Sequence, residues 1–198
     1  MSHLNLPNIL STLETNGYAV IQQFLGDEVV SDLRELALNS HHQQLTHKAQ
    51  VGLTQSNTNT LRGDHIIWLD NTSQNISITQ YISQMEMFKN VLNEAFYLSL
   101  CSLESHFAIY PKGTGYAKHL DQFHAQKTRK ISSVLYLNKN WSFKDGGCLR
   151  IYLTETEHVD IEPIGGQLVL FDSARFFHEV LTSNRERVSI AGWFKTRD

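Results

Sequence analysis

Residues 113–123 read GTGYAKHLDQF and place an imidazole and a carboxylate two positions apart within a run of apolar and aromatic residues. Successive side chains of a β-strand point to opposite faces of the sheet, so His119 and Asp121 are expected to share one face while Leu120 points to the other. In a small β-barrel that shared face is the cavity. The stretch therefore predicts a strand that carries two polar side chains into the interior of a β fold.

Further runs of the same kind follow and precede this stretch. From about Leu103 onward, short apolar or alternating segments are separated by Gly, Asn and Asp residues. They read ESHFAIYP, KISSVLYLN, GCLRIYLT, GGQLVLFD, HEVLTS and VSIAGWFK. Many short strands at close spacing are typical of a barrel or a two-sheet jelly roll. The sequence thus predicts a mainly antiparallel β core, mainly over residues 101–198.

The first hundred residues are predicted to be mainly helical, with two strands among them, because their apolar residues mostly recur at three- and four-residue spacing. One helix is expected over Asp27–His41, with acidic residues at its positive end and Val30, Leu33 and Ala37 on its apolar face. A second is expected roughly over Ile78–Leu98. Both apolar faces indicate packing against a core.

Residues 42–61 are polar, rich in Asn, Thr and Gln, and lack any period. This composition predicts a long exposed loop, of the kind that acts either as mobile filler or as a substrate-facing lid. We expect residues 1–198 to form a single α+β domain, in which helices mainly from residues 1–100 buttress the jelly-roll core.

Composition argues against several classes of partner. The chain has 17 Lys and Arg against 20 Asp and Glu and no basic run, so no nucleic-acid partner is expected. Neither a basic N-terminal region nor an apolar stretch of about 20 residues is present, which predicts a cytoplasmic protein without a membrane span. Cys101 and Cys148 lie far apart without CxxC spacing, so neither a zinc cluster nor a disulfide framework is expected.

A second histidine completes a candidate metal site. His178 lies in ARFFHEV, just past the run LVLF, where a late strand could return beside the strand that carries His119 and Asp121. Two imidazoles and one carboxylate with open positions are the facial triad of non-haem Fe(II) oxygenases. We therefore predict that these three residues bind Fe(II) and leave positions for a cosubstrate and O2. The other histidines, His106 among them, form no pattern that indicates ligands.

Arg187 stands in the terminal segment RERVSIAGWF, where Arg187, Ser189 and Ala191 alternate on one face. A guanidinium pairs with a carboxylate through two parallel hydrogen bonds, so an arginine that faces a pocket near a metal suggests a dicarboxylate ligand. By itself, such an arginine is more often part of a surface ion pair. Together with the triad it indicates 2-oxoglutarate, whose keto-acid end can chelate iron while its distal carboxylate meets Arg187.

Several segments carry a family resemblance. YPKGTGYAKHLD, VLYLNKNW, GGCLRIY, IEP, HEV and the final R-x-S-I-x-x-W-F occur in the order and near the spacings of 2-oxoglutarate- and Fe(II)-dependent prolyl 4-hydroxylases of the oxygen-sensing type and their bacterial relatives. The likeness extends back to LRGDHIIWLD at residues 61–70 and so covers most of the chain. It implies a double-stranded β-helix, with His119, Asp121 and His178 as iron ligands and Arg187 as the cosubstrate-binding residue.

The resemblance also implies roles for three aromatic residues and one ion pair. Tyr136 matches a tyrosine whose hydroxyl shares the 2-oxoglutarate carboxylate with the arginine. Tyr110 matches a pocket tyrosine, and Trp193 an aromatic wall beside the metal. Asp64 and Arg129 match a family ion pair that ties the loop after residue 42 to the barrel.

The expected reaction is hydroxylation of an unactivated C–H bond, coupled to oxidative decarboxylation of 2-oxoglutarate. The favoured substrate is a prolyl residue in a protein or peptide, with residues 42–61 as its clamp and ascorbate as an auxiliary reductant. Two alternatives stay open. The chain could hydroxylate a free amino acid or small metabolite, because one fold serves many substrates, or it could be a non-catalytic metal- or 2-oxoglutarate-binding sensor.

Overall fold

The computed structural model describes residues 4–43, 47–48, 62–122 and 127–197. A short 3-10 helix, Phe143–Asp145, precedes the seventh strand. The remaining elements, in chain order, are α1 (Leu6–Asn16), β1 (Tyr18–Ile21), α2 (Asp27–His42), β2 (His47–Lys48), β3 (His65–Trp68), α3 (Ile76–Phe96), β4 (Ser102–Tyr110), β5 (Tyr116–His119), β6 (Arg129–Tyr136), β7 (Leu149–Tyr152), β8 (His158–Ile161), β9 (Leu168–Asp172), β10 (His178–Val180) and β11 (Arg187–Lys195).

The strands form two antiparallel sheets. The larger has seven strands in the order β1-β9-β6-β11-β4-β3-β2, and the smaller has four in the order β5-β10-β7-β8. Buried apolar side chains from both sheets meet in one cluster, which joins Tyr136 and Phe171 of the larger sheet to Leu149 and Ile151 of the smaller. The arrangement confirms the predicted α+β jelly-roll core.

The helices cover the outer face of the larger sheet. Val30, Leu33 and Ala37 of α2 are buried, as predicted, in a cluster that includes Phe107 of β4 and Ile190 of β11. The acidic residues of the first turn of α2 lie at the positive end of the helix dipole, which stabilises a helix that has no side-chain cap. The predicted buttress is therefore present.

Both ends of α3 lie earlier in the sequence than predicted. The side chain of Asn75 accepts hydrogen bonds from the backbone N–H groups of Ser77 and Ile78, which starts the helix at Ile76. Tyr97 adopts a left-handed conformation with φ 53°, which ends the helix at Phe96.

Three other predictions need correction. Residues 42–61 do not form one uninterrupted loop, because α2 continues to His42 and β2 pairs with β3; the rest of the segment lies outside the described residues. β5 ends at His119, so Asp121 lies just beyond the strand. β8 was not predicted, because it is a short edge strand that is defined mainly by its pairing with β7.

No helix in the described ranges combines the length and apolar character needed to cross a bilayer.

Candidate active site

The two predicted histidine ligands are brought together by strand pairing. β5 and β10 run antiparallel with His119 directly opposite His178, and their ring centroids lie 4.2 Å apart. The bend after β5 turns Asp121 toward both rings. Its Oδ1 lies 3.6 Å from His119 Nε2, and its Oδ2 lies 3.6 Å from His178 Nε2. One ligand atom from each of the three residues lies within 4.8 Å of the others.

Backbone contacts orient both imidazole rings. His119 Nδ1 lies 2.8 Å from the carbonyl oxygen of Ala117, and His178 Nδ1 lies 3.1 Å from that of Phe176. Because a carbonyl oxygen only accepts, each Nδ1 must carry the proton and each Nε2 then presents a lone pair. Burial lowers the pKa of His178, which favours the neutral ring. A neutral imidazole whose second nitrogen donates to a carbonyl is the form that binds metals.

Asp121 supplies the anionic member of this set. Burial by itself would raise its pKa, but the two imidazoles and the hydroxyl of Ser132 surround the carboxylate and hold the pKa below its usual value. Two imidazole nitrogens and one carboxylate oxygen suit a divalent first-row transition metal. The donor set therefore fits the iron that the sequence predicted.

Arg187 marks the other end of the site. In the larger sheet it lies opposite Tyr110 of β4, and its guanidinium carbon lies 5.0 Å from the centroid of that ring. The side chain is only 1% exposed. Its Nε donates to the carbonyl of Gly147 at 2.9 Å, and its Nη1 donates to Ser189 Oγ at 3.3 Å. In the described part of the chain, no Asp or Glu side chain pairs with it.

A buried charge without a partner of opposite sign is costly, so this end of the site fits an anionic ligand. Tyr136 adds a second unsatisfied group. It is fully buried with its ring centroid 5.1 Å from the Arg187 guanidinium carbon, and its hydroxyl has no hydrogen-bond partner among the described residues. Burial raises the pKa of Tyr136 to about 12, so the hydroxyl keeps its proton at neutral pH and is available as a donor.

One cavity of about 240 Å³ joins the two ends. Six of the seven predicted site residues line it: Tyr110, His119, Asp121, His178, Arg187 and Trp193. Tyr136 is not among the lining residues, although its ring lies beside the Arg187 guanidinium. The wall of the cavity includes apolar side chains from both sheets, among them Val134 of β6 and Leu149 of β7.

The predicted ion pair between Asp64 and Arg129 is wrong. Asp64 accepts two hydrogen bonds from Arg62, whose Nε and Nη2 lie 2.7 and 3.0 Å from the two carboxylate oxygens. Arg129 lies over the ring of Trp193, with its guanidinium carbon 3.6 Å from the ring centroid, and donates to Glu104 Oε1 at 3.1 Å. Because β11 separates β4 from β6, Arg129 reaches Glu104 across the indole.

His106 also lines the cavity, although the sequence analysis gave it no role. Its ring centroid lies 4.9 Å from that of Trp68 and 5.4 Å from that of Trp193, and its Nε2 accepts from Arg62 Nη2 at 3.3 Å. Burial, reinforced by the charge of Arg62, lowers the pKa of His106 to about 4. Alternation along β4 places His106 on the same face as Tyr110, and this periodicity was the signal that could have identified it.

Comparison with known proteins agrees with this geometry. Residues 105–195 match the family model of the 2OG-Fe(II) oxygenase superfamily. The crystal structure of a prolyl-4-hydroxylase from Pseudomonas putida superposes with a TM-score of 0.89 at 36% identity, covering 98% of this chain and 100% of that one. A prolyl hydroxylase from Trichoplax adhaerens, solved with a peptide fragment of the hypoxia-inducible factor oxygen degradation domain, superposes with a TM-score of 0.87 at 28% identity, covering 96% and 88%.

A curated relative, the mouse prolyl hydroxylase EGLN3, is 28% identical over 204 residues, which span 98% of this chain and 84% of that protein. The chain therefore belongs to the 2-oxoglutarate- and Fe(II)-dependent oxygenase superfamily, and within it the chain is an enzyme of the prolyl hydroxylase-like type. The superfamily is named after Fe(II) and 2-oxoglutarate. The donor set of His119, Asp121 and His178 fits the metal, and the buried guanidinium of Arg187 fits the cosubstrate.

Proposed function

We propose that the chain hydroxylates a prolyl residue in a protein or peptide, using Fe(II), 2-oxoglutarate and O2. The observation that carries this proposal is the meeting, in one cavity, of the His119, Asp121 and His178 ligand atoms with the buried guanidinium of Arg187. A peptide substrate is supported by the relatives, which are prolyl hydroxylases, one of them solved with a peptide fragment.

Each end of the cavity has its own task in this proposal. His119, Asp121 and His178 hold the metal, which supplies the oxidising power for C–H hydroxylation when bound. Arg187 binds the distal carboxylate of 2-oxoglutarate through parallel hydrogen bonds, which its planar fork of donors allows. Tyr136, whose ring lies beside Arg187, donates a hydrogen bond from its hydroxyl to the same carboxylate.

The walls of the cavity control water and orientation. Val134 and Leu149 are apolar, and Tyr110 and Trp193 present ring surfaces to the space between the two ends. Excluding water from this space strengthens the interaction between Arg187 and a carboxylate, because the local dielectric constant falls. The walls therefore contribute to cosubstrate binding without a direct hydrogen bond.

Other parts of the sequence analysis stay predictions. These are the use of ascorbate as a reductant, a cytoplasmic location, the absence of a nucleic-acid partner, and a single domain over residues 1–198. The clamp predicted for residues 42–61 lies largely outside the described residues.

The proposal is tested by incubating the purified protein with Fe(II), ascorbate and 2-oxoglutarate and measuring succinate. Proline-containing peptides, free proline and buffer alone form the three arms, with Asp121→Ala as the inactive control. Peptide-dependent succinate formation is the expected result. Stimulation by free proline alone would favour the small-metabolite alternative, and tight 2-oxoglutarate binding without succinate in any arm would favour the sensor.

A further inference from the structure

Three buried polar groups form a chain behind the candidate metal site. Ser132 of β6 has its Oγ 2.7 Å from Asp121 Oδ2 and 2.8 Å from the Oγ of Ser173, which follows β9. The exposed fractions of Ser173, Ser132 and Asp121 are 0%, 1% and 9%. Neither serine was singled out by the sequence, and neither serves as a ligand in the proposed function.

The chemistry of the groups sets the direction of this chain. An ionised carboxylate only accepts hydrogen bonds, and a serine hydroxyl has one proton to donate. Ser132 therefore donates its proton to Asp121 Oδ2, and the bond between the two serines must be donated by Ser173. A hydrogen bond to a charged acceptor is stronger than one between neutral groups, and the second hydroxyl polarises the first.

The backbone fixes both serines relative to Asp121. Ser173 N–H donates to the carbonyl of Lys130 at 3.0 Å, and Gln122 N–H donates to the carbonyl of Ser173 at 3.1 Å. The bend that carries Asp121 is thus tied to the segment that carries Ser173. Ser132 is held in the middle of the larger sheet, since β6 pairs with β9 on one side and β11 on the other.

We propose that Ser132 is a positioning residue that holds the Asp121 carboxylate in its metal-binding orientation through the hydrogen bond to Oδ2, with Ser173 as its support. This inference rests on the proposed metal site. Hydrogen bonds to a metal-binding side chain fix its orientation and contribute to metal affinity.

Ser133 provides a matched control for this inference. It is the next residue of β6, it is also 1% exposed, and its hydroxyl makes no hydrogen bond within the described residues. Ser133 also borders the cavity, but alternation along the strand turns its side chain to the face of β6 opposite that of Ser132. Ser132→Ala and Ser133→Ala therefore remove the same atom from neighbouring buried positions, and only the first removes a bond to the carboxylate.

The test titrates Mn²⁺ alone into the metal-free protein and follows the electron paramagnetic resonance signal of free Mn²⁺. Groups that orient metal ligands typically contribute about 10- to 100-fold to metal affinity, so Ser132→Ala should weaken binding by that factor. Ser132→Thr, which keeps a hydroxyl, should recover most of the loss, and Ser173→Ala should cost less than Ser132→Ala. Ser133→Ala should bind like the parent.

Co²⁺ absorption separates positioning from packing. The visible absorption of Co²⁺ depends on the arrangement of its ligands, so a carboxylate that is no longer held in place in Ser132→Ala should change the spectrum, while Ser132→Thr and Ser133→Ala should match the parent. Parent-like Mn²⁺ affinity in Ser132→Ala, or an equal loss in Ser132→Thr, would overturn the inference. If Ser132→Ala does not fold, the inference would be overturned by parent-like Mn²⁺ affinity in Ser173→Ala together with weakened Mn²⁺ binding in Ser132→Thr.

His119→Ala separates this inference from the proposed function. If His119→Ala still binds Mn²⁺ like the parent, the metal site itself is wrong. If His119→Ala loses Mn²⁺ and Ser132→Ala does not, only the role of Ser132 is wrong.

Discussion

His119 and His178 are direct cross-strand partners, and their ring centroids lie 4.2 Å apart. Because backbone carbonyls take both Nδ1 protons, the pairing of β5 with β10 places both Nε2 atoms beside Asp121, where they can bind the same metal ion. Ligands that the sheet holds in place lose little side-chain entropy when a metal binds. The candidate metal centre is therefore built by strand register.

Metal content tests this arrangement. We expect one divalent ion per chain, and purified protein is expected to carry Ni, Zn or Mn in place of Fe where those ions are available, since affinity follows ligand type. His119→Ala and His178→Ala should each empty the site. His158→Ala, an exchange at an exposed histidine of β8, is the control. Full occupancy in both ligand variants, measured by elemental analysis, would rule out the triad.

Arg187→Leu should keep the metal and lose 2-oxoglutarate. Removing one partner of a buried charge pair commonly costs about 2–5 kcal/mol, which weakens binding by at least tens of fold. Arg187→Lys should recover only part of the loss, because an ammonium cannot form two parallel hydrogen bonds. Charge-transfer absorption, monitored while 2-oxoglutarate is titrated into the metal-loaded proteins, measures the affinities of the parent, Arg187→Lys and Arg187→Leu. Parent-like affinity in Arg187→Leu would remove the assignment of the arginine and reopen the identity of the cosubstrate.

Tyr136→Phe should act in the same direction but more mildly. It deletes one hydroxyl whose net worth is roughly 0.5–3 kcal/mol, depending on the charge of the acceptor. Without 2-oxoglutarate this hydroxyl has no hydrogen-bond partner among the residues that the structure describes, so the variant should unfold at the same or a higher temperature than the parent. An unchanged affinity for 2-oxoglutarate would place Tyr136 outside the binding site.

Gly147→Ala tests whether the backbone that contacts Arg187 positions its side chain for 2-oxoglutarate binding. Gly147 has φ 68°, and a Cβ there would lie 3.1 Å from Arg187 Cδ. We expect weaker 2-oxoglutarate binding with unchanged metal content, together with a loss of about 1–2 kcal/mol of stability from the left-handed backbone. Gly113→Ala is the control, since it has φ 85° but no atom within 4 Å of its Cβ. Equal 2-oxoglutarate affinities in the two variants would show that the contact with Arg187 is unimportant.

His106 should make stability depend on pH. Its pKa is about 4 in the folded protein against 6.5 in the reference state, so the unfolded chain binds the proton more readily. The stabilisation is complete above pH 6.5 and is lost as pH falls toward 4. His106→Gln should reduce the fall in the free energy of unfolding between about pH 7 and pH 5 by about 2 kcal/mol.

Denaturant titrations at the two pH values measure this difference. The same exchange at His158, which is exposed on the smaller sheet, gives the contribution of a histidine that the fold leaves in solvent. An identical pH dependence in His106→Gln and the parent would contradict the assignment.

Alternation along strands predicted the parts of the site that depend on a single strand. Arg187, Ser189 and Ala191 all face the cavity, as the pattern of β11 indicated. The same logic failed for Asp121, because β5 ends at His119 and a bend, which alternation does not describe, turns the carboxylate inward. His106 shares a face of β4 with Tyr110, so alternation could have identified it, but that pattern was not used for β4.

Properties that depend on which strands become neighbours could not be read from the sequence. The pairing of Asp64 with Arg62, and of Arg129 with Glu104, follows from the order of β3, β4, β11 and β6 in the sheet. The same holds for the bond between Ser132 and Asp121, which joins β6 of the larger sheet to a residue just after β5 of the smaller sheet. The residue pattern and the family resemblance both predicted the same three ligands, but the resemblance paired Asp64 with the wrong arginine.

The most direct test of the central claim is mass spectrometry of a proline-containing peptide after incubation with the protein, Fe(II), 2-oxoglutarate and O2. We predict that the peptide gains the mass of one oxygen atom and that fragmentation places this atom on the proline. The gain should require 2-oxoglutarate and should disappear in Asp121→Ala and Arg187→Leu. An oxygen atom on another residue, or an equal gain in Arg187→Leu, would contradict the account.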